Sequence, residues 1–358
     1  MKSHINKKII SQNKSGTYIV LEAGPTHYGI ESAIKLAKLA KEAGADAIKY
    51  QLLYADRLMA DKTVLFTYDI LIIDDDKKET YQSLTEPLYD ILKRRELSQD
   101  EWIELKNYCD KINLTMFLTA TYKDEVDFII DELKVDSIKI NSSDVNDLEF
   151  IRYCASKGVN IQLDTGNADL WEIEKAVIEA ESVGCENIII HLCPSGYPAH
   201  TQSINLNMLK TLKLMFPSYA IAFSDHSPDY HMDIAAVALG ADMIEKTITL
   251  DRTIKSCEHS FSLDEEDMHK FISTIKEIEI ALGSTRRTMP KEIKEKRKLG
   301  RRSPYALKTL EKGNIISDSD FEFKRPGYGI TSEEFDQFIG KALTKTIYKE
   351  EILSYEYI

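Results

Sequence analysis

Glu22, Lys49, Lys139 and Glu245 stand in runs otherwise made largely of Ile, Val, Leu, Ala and Tyr: YIVLEAG, AIKYQ, SIKIN and DMIEKTI. A charge buried without a partner is costly, so each must meet an opposite charge or a ligand. Further polar groups close similar runs: Gln51, Thr119, Ser142 and Asp144, Asp164 and Thr165, Ser195 and Tyr197, Ser224, Asp225 and His226, and Thr247. Two lysines near the hydroxyls of Ser142 and Ser224 make a site for phosphate or carboxylate. His226, in FSDHS, can bind a metal or move a proton when neutral. Any one of these charges can be read as an ion pair that only fills an interior. The whole set argues for chemistry, because a purely structural barrel core is mostly branched aliphatic. His191, inside IIIHLCP, reads as structural, and His4, His200, His231 and His269 as surface residues.

Such groups need elements that gather their ends at one place. Eight short apolar runs, at 17–24, 46–52, 114–120, 136–143, 160–166, 187–194, 219–225 and 242–249, are each about one strand long. Helical patterns lie between them. The run 30–44 closes on Gly44 as a C-terminal stop, and 169–184 opens on Asp169 as a cap. Others fall near 98–112, 123–133, 147–157, 204–216, 231–240 and 264–282. Apolar strands alternating with helices predict a parallel sheet covered on both faces. Eight such units predict an α/β fold, a (β/α)8 barrel, with chemistry at the C-terminal strand ends. No G-x-G-x-x-G follows the first strand, against a dinucleotide fold. The segment 54–96 is long for a strand-to-helix connection and reads as an inserted loop at the active-site end. After Gly283 the pattern breaks. Residues 284–303 are basic, a linker or exposed helix, and 304–358 read as a small β-rich domain.

The 358 residues are 43% hydrophobic and 29% charged, which excludes disordered, collagen-like and disulfide-scaffold classes. A net charge of −13 argues against nucleic acid or an anionic membrane as partner. A small anionic substrate needs a local cluster of cations instead. Five scattered Cys without a CxxC pair argue against disulfides and thiolate zinc. The polar start and the shortness of every apolar run predict a cytoplasmic protein.

Several stretches resemble the bacterial sialic acid synthase family. LEAGPTHYG (21–29) is similar to its A-E-I-G-x-N-H-x-G opening, and KEAGADAIKYQ (41–51) to its following helix and strand. IKINSSDVNDLEFI (138–151), SGYP (195–198), FSDHS (223–227) and AAVALGADMIEKTITLDR (235–252) continue in order. The tail from RRSPYALKTLEKGN resembles the small antifreeze-like (SAF) domain that ends these synthases. The resemblance implies condensation of phosphoenolpyruvate with an N-acyl mannosamine-type sugar, giving a nonulosonic acid and phosphate. It implies that Lys49, Lys139, Ser142 and Ser224 hold phosphoenolpyruvate, and that Glu22 and Gln51 contact the sugar. Tyr197 and Glu258 would line the sugar pocket. Asp144 matches the acidic position of the family's K-I-x-S-x-[DE] strand, here among the substrate-binding residues. His226 would bind a divalent metal, Mn2+ or Mg2+, with Glu245 beside it as base or support. Arg325, in KRPG, would reach a partner subunit's barrel, making a homodimer with exchanged C-terminal domains.

The chain departs from the family pattern at particular places. Thr247 stands where a second metal-binding His is usual, and a hydroxyl is a poorer ligand for a transition metal than imidazole. Asp164 replaces a hydroxyl in the family's S-T-G strand, Ala120 another hydroxyl, and Ser195 an Asn. His27 or His259 could supply the missing ligand. Two other readings use the same residues: a synthase on this scaffold with a different acceptor and little use of metal, and a non-catalytic sugar-binding relative.

Overall fold

The computed structural model describes residues 2–358. The chain divides into two compact units, Met1–Gly283 and Ser284–Ile358. In the first, eight parallel strands close into a barrel in sequence order. They are Tyr18–Glu22, Ala47–Gln51, Thr115–Thr119, Ser137–Ile140, Asn160–Asp164, Ile188–Leu192, Ala220–Asp225 and Met243–Thr247. All eight lie inside the predicted runs. The eighth strand pairs with the first, Thr247 opposite Glu22, and the first with the second, Glu22 opposite Lys49. Closure thus sets three functional candidates side by side at one end.

The helices pack their apolar faces outside this wall. Ile30–Ala43 buries Ala33, Leu36, Ala37 and Ala40, one helical face. It stops at Gly44, whose left-handed backbone (φ 92°, ψ 28°) lets its N–H return to the Ala40 carbonyl. Leu170–Ser182 starts at Asp169, whose N–H donates to the Glu172 carboxylate at 2.8 Å. At the other end of the barrel, the Ala220 N–H donates to Ser3 Oγ at 2.7 Å, so the N-terminal segment closes the floor. Midway up, the interior is polar. Gln162 Nε2 donates to Ser137 Oγ at 2.7 Å, and His191 Nε2 meets Gln162 Oε1 at 2.8 Å. His191 is structural, as read from its apolar run.

The segment 54–96, expected as an inserted loop, carries regular structure of its own. Leu65–Ile73 and Glu79–Pro87 pair antiparallel along nine residues each, followed by a helix, Leu88–Lys93. The acidic stretch Asp74–Asp76 makes the turn, with the Asp76 and Lys78 N–H groups donating to Asp74 Oδ1. Phe66 from this hairpin, and Leu88 and Ile91 from the helix that follows it, reach the cavity at the barrel mouth.

The second unit has a core of its own, built from residues such as Ala306, Phe321, Ile330, Phe335 and Leu353. Phe335 packs edge-on to Phe321 and Phe323 at 5.6 and 5.3 Å. Its regular pairing is limited to Ser303–Ala306 with Phe321–Lys324, and the expected run KALTKTI joins only through single bridges. Within the basic stretch, Lys291–Gly300 is a helix with no buried residue.

Candidate active site

The four charges singled out in the sequence meet inside the barrel. Lys49 Nζ contacts a Glu22 carboxylate oxygen and lies 3.3 Å from Glu245 Oε1. Lys139 Nζ lies 2.8 Å from the same Glu245 oxygen and 3.2 Å from Asp164 Oδ2. Ser224 Oγ, 3.1 Å from Lys139 Nζ, donates to Glu245 Oε1 at 2.9 Å. The result is one chain of alternating sign, Glu22–Lys49–Glu245–Lys139–Asp164, drawn from five different strands. Three carboxylates face two ammonium groups.

Burial alone would raise Glu245, but Lys139 and Lys49 together hold it well below the usual carboxylate range. The same lysine keeps Asp164 low against its burial. Burial pushes Glu22 up, against the pull of Lys49. Burial opposes the charge of Lys49 and Lys139, yet their carboxylate partners hold both above the ordinary lysine value. The Gly24 N–H donates to Glu22 Oε1 at 2.6 Å. A Cβ on Gly24 would overlap both Glu22 and Gln51, so only glycine lets the backbone approach this carboxylate.

Above Asp164 opens a cavity of about 340 Å³ lined in part by Gln51, Ser142, Ser195, Tyr197 and Glu258. Glu258 is pushed up to about 7 by burial, with the Arg95 guanidinium pulling the other way. The His226 ring packs against Tyr197 at 4.7 Å between ring centres, tilted by 49°. Its Nδ1 lies 3.4 Å from the Pro194 carbonyl and 3.8 Å from Cys193 Sγ. Burial lowers His226, which keeps the imidazole neutral.

Other sequence candidates go elsewhere. Asp225 points away from the barrel interior: Lys246 Nζ contacts its carboxylate and lies 3.5 Å from Asp233 on the helix His231–Ala238. Side chains on a strand alternate faces, so Asp225 and Lys246 leave where Ser224 and Glu245 enter. Thr165 Oγ1 donates to the His191 carbonyl at 2.7 Å, a structural bond. Asp144 follows the cavity-lining Asn141, Ser142 and Ser143 but does not itself line the cavity. Arg325 belongs to the second unit, directly after the strand Phe321–Lys324.

The donor set does not fit a two-imidazole metal centre. Past the paired Asp225 and Lys246, the seventh strand continues into His226 and the eighth ends at Thr247, so one imidazole faces one hydroxyl. Neither candidate substitute fills the gap. The His27 ring is packed edge-on against Tyr50 and Trp102, and His259 Nδ1 is engaged by Thr249 Oγ1 at 2.7 Å. Among the described residues no three His, Cys, Asp or Glu side chains are grouped to hold a metal ion.

Two functional candidates were missed. Arg95 lies in the charge run KRRE at the end of the segment read as an inserted loop, and it lines the cavity. Cys193 lines the same cavity, and the sequence shows it only as one of five scattered thiols. Nothing in the local sequence marks either; both depend on how the long insertion and the sixth strand's exit fold over the mouth.

Comparison with known proteins agrees with this architecture. The sequence pattern of the NeuB family matches residues 36–287, and that of the SAF domain matches 301–357. The N,N'-diacetyllegionaminic acid synthase of Legionella pneumophila is 31% identical over 99% of both chains. The human N-acetylneuraminate-9-phosphate synthase is 28% identical, over 95% of this chain and 92% of its own. A crystal structure of an N-acetylneuraminic acid synthetase from Leptospira borgpetersenii superposes with a TM-score of 0.67 at 26% identity, covering 78% of this chain and 90% of that one.

Proposed function

The chain belongs to the NeuB family and is an enzyme of the nonulosonic acid synthase kind, and on that premise we propose that it condenses phosphoenolpyruvate with an N-acyl mannosamine-type sugar. The observation that carries this reading is the buried chain from Glu22 to Asp164 beneath a cavity lined by Ser142, Tyr197 and Glu258. In it, Lys49 and Lys139 are cations kept charged by their carboxylates and ready to take an anionic donor.

Carbon 3 of the donor attacks the aldehyde carbon of the open-chain sugar, forming the new carbon–carbon bond. The aldehyde oxygen becomes an alkoxide and takes a proton. Glu258, whose carboxyl is protonated up to about pH 7, is the acid suited to give it. Water then adds at carbon 2, and its proton passes to a base. Glu245 is too firmly ion-paired to be a good one. Glu22, raised by burial, is the better base. The tetrahedral intermediate collapses by breaking the carbon–oxygen bond to phosphate, leaving the ketone. No step here is routed through a metal. Arg325, delivered by a partner subunit, contributes to the sugar side, so the active unit is a dimer.

The test is phosphate release from phosphoenolpyruvate with a panel of N-acyl hexosamines, with and without Mn2+. Sugar-dependent release that is lost in Lys139→Met supports the reading. Sugar binding without phosphate release on any acceptor would identify a non-catalytic relative instead.

A further inference from the structure

Arg95 follows the helix Leu88–Lys93, next to Arg94. The two arginines have opposite fates. Arg94 forms a two-point pair with Glu86 at 2.6 and 2.9 Å near the surface. Arg95 turns inward and is only 6% exposed. Its Nε has no hydrogen-bond partner among the described residues, and no carboxylate lies within 4.0 Å of its guanidinium. Arg cannot neutralise itself by losing a proton. A buried, unpaired guanidinium is therefore destabilising unless something else brings the anion.

The one carboxyl that feels Arg95 across the cavity among the described residues, Glu258, lies beyond 4.0 Å and is pushed up to about 7 by burial, so it is not a fixed anion for the guanidinium. Burial and Arg95 together hold His27 and His259 neutral, at about 3. The Cys257 thiol beside it is pushed up to about 12 by burial. Glu86, the nearest strong acid on the same hairpin, is already taken by Arg94. Arg95 opens instead onto the mouth cavity, entering with Phe66, Leu88 and Ile91 on the side of Glu258. The apolar neighbours exclude water and strengthen any charge-assisted hydrogen bond formed there.

We propose that Arg95 recognises an anionic group, a carboxylate or a phosphate, carried by the acceptor sugar. This rests on the condensation proposed above and specifies its acceptor. The donor already has two cations, Lys49 and Lys139, in the buried cluster beneath the cavity. Arg95 is a third, separate cation that lines the cavity along with Phe66, Leu88 and Ile91, and a fork of donors suits a planar or tetrahedral oxyanion.

The experiment is calorimetric binding to the full chain of three probes: N-acetylmannosamine, its 6-phosphate and the corresponding 6-carboxylate. At least one anionic probe should bind the wild type about tenfold or more tightly than the neutral sugar. Arg95→Met should abolish that preference while phosphoenolpyruvate affinity stays within about twofold. Arg95→Lys should keep part of the preference, since it keeps the charge and loses the fork. Removal of an unpaired charge should leave the thermal midpoint of Arg95→Met unchanged or higher; if that variant fails to fold, Arg95→Lys reads the same comparison. Equal binding of all probes, binding of none, or a preference that survives Arg95→Met overturns the proposal. Loss of phosphoenolpyruvate affinity in Arg95→Met also overturns it, by assigning the arginine to the donor. Turnover is not needed for any of these readings, so a failure of the condensation itself shows separately as absent phosphate release.

Discussion

Asp164→Asn should tighten the binding of phosphoenolpyruvate. Lys139 Nζ divides its contacts among Glu245, Ser224 and Asp164, the last at 3.2 Å. A donor anion captured by the same ammonium would sit about 3 Å from it and hence roughly 5 Å from the Asp164 carboxylate. At an effective dielectric near 20, two unit charges at that distance repel by about 3 kcal/mol. Relaxation and water entry will remove part of this. If about a third remains, the gain on neutralising Asp164 is about 1 kcal/mol, roughly fivefold in affinity. Asn is the same shape, and its amide oxygen can still accept the Thr165 N–H now held at 3.1 Å by Asp164. The fold should lose about 1–3 kcal/mol, since Lys139 keeps Glu245 but gives up one of two carboxylates. Calorimetric titration with phosphoenolpyruvate at two salt concentrations measures the effect, and the advantage of the variant should shrink as salt rises. A weaker donor affinity in a folded Asp164→Asn protein would refute the argument. Asp164 would then be aligning Lys139 for the donor and not competing with it.

Lys139→Met should cost about 3–5 kcal/mol in urea unfolding, because Glu245 and Asp164 remain buried and lose their shared cation; adding Glu245→Gln should restore part of it. Glu258, at about 7 when folded against 4.5 ordinarily, favours the folded state most below pH 4.5, and that contribution is lost as pH rises through about 7. The wild type should therefore lose about 3 kcal/mol of stability over that window relative to Glu258→Gln, and a parallel pH dependence in the two proteins would contradict the assignment. Mn2+ should bind weakly, and Thr247→His should tighten it by about tenfold or more in a relaxation titration; tight binding by the wild type would show a donor set other than the one described. Arg325→Ala and Lys139→Met, each inactive alone, should recover activity when mixed if the arginine acts across a dimer, and light scattering should show that dimer.

The barrel was legible because six of its eight strands are buried along their whole length and the other two at all but one end residue, which leaves near-continuous apolar runs rather than alternation. The charges within those runs were legible for the same reason: Lys in SIKI has no business in a hydrophobic strand unless partnered. Which charges face inward was harder to read. Asp225 and Ser224 are neighbours in one motif, and only strand alternation sends one to the cavity and the other to the helix layer. The hairpin at 65–87 was missed because its outer strand, Glu79–Pro87, is polar on both faces and exposed along most of its length, so no periodicity marks it. Arg95 was hidden by its neighbours, since KRRE is a charge run at the end of a segment read as an inserted loop. Its role depends on Arg94 capturing Glu86, a contact set by tertiary structure alone.

The outward pair Lys246–Asp225 and the inward pair Glu245–Ser224 are adjacent in the same two strands. Sliding the eighth strand by one residue would carry Lys246 into an interior that already holds two ammonium groups, and push Glu245 out against Asp225 and Asp233. Hydrophobic neighbours would tolerate such a shift, because Met243 and Ile244 are interchangeable as packing. Charge would not. Charge therefore guards the register between the seventh and eighth strands: a misaligned pairing places like charges together on both faces at once. Swapping Lys246 and Glu245 as a pair should preserve composition and hydropathy, yet yield a chain that folds slowly or to several states.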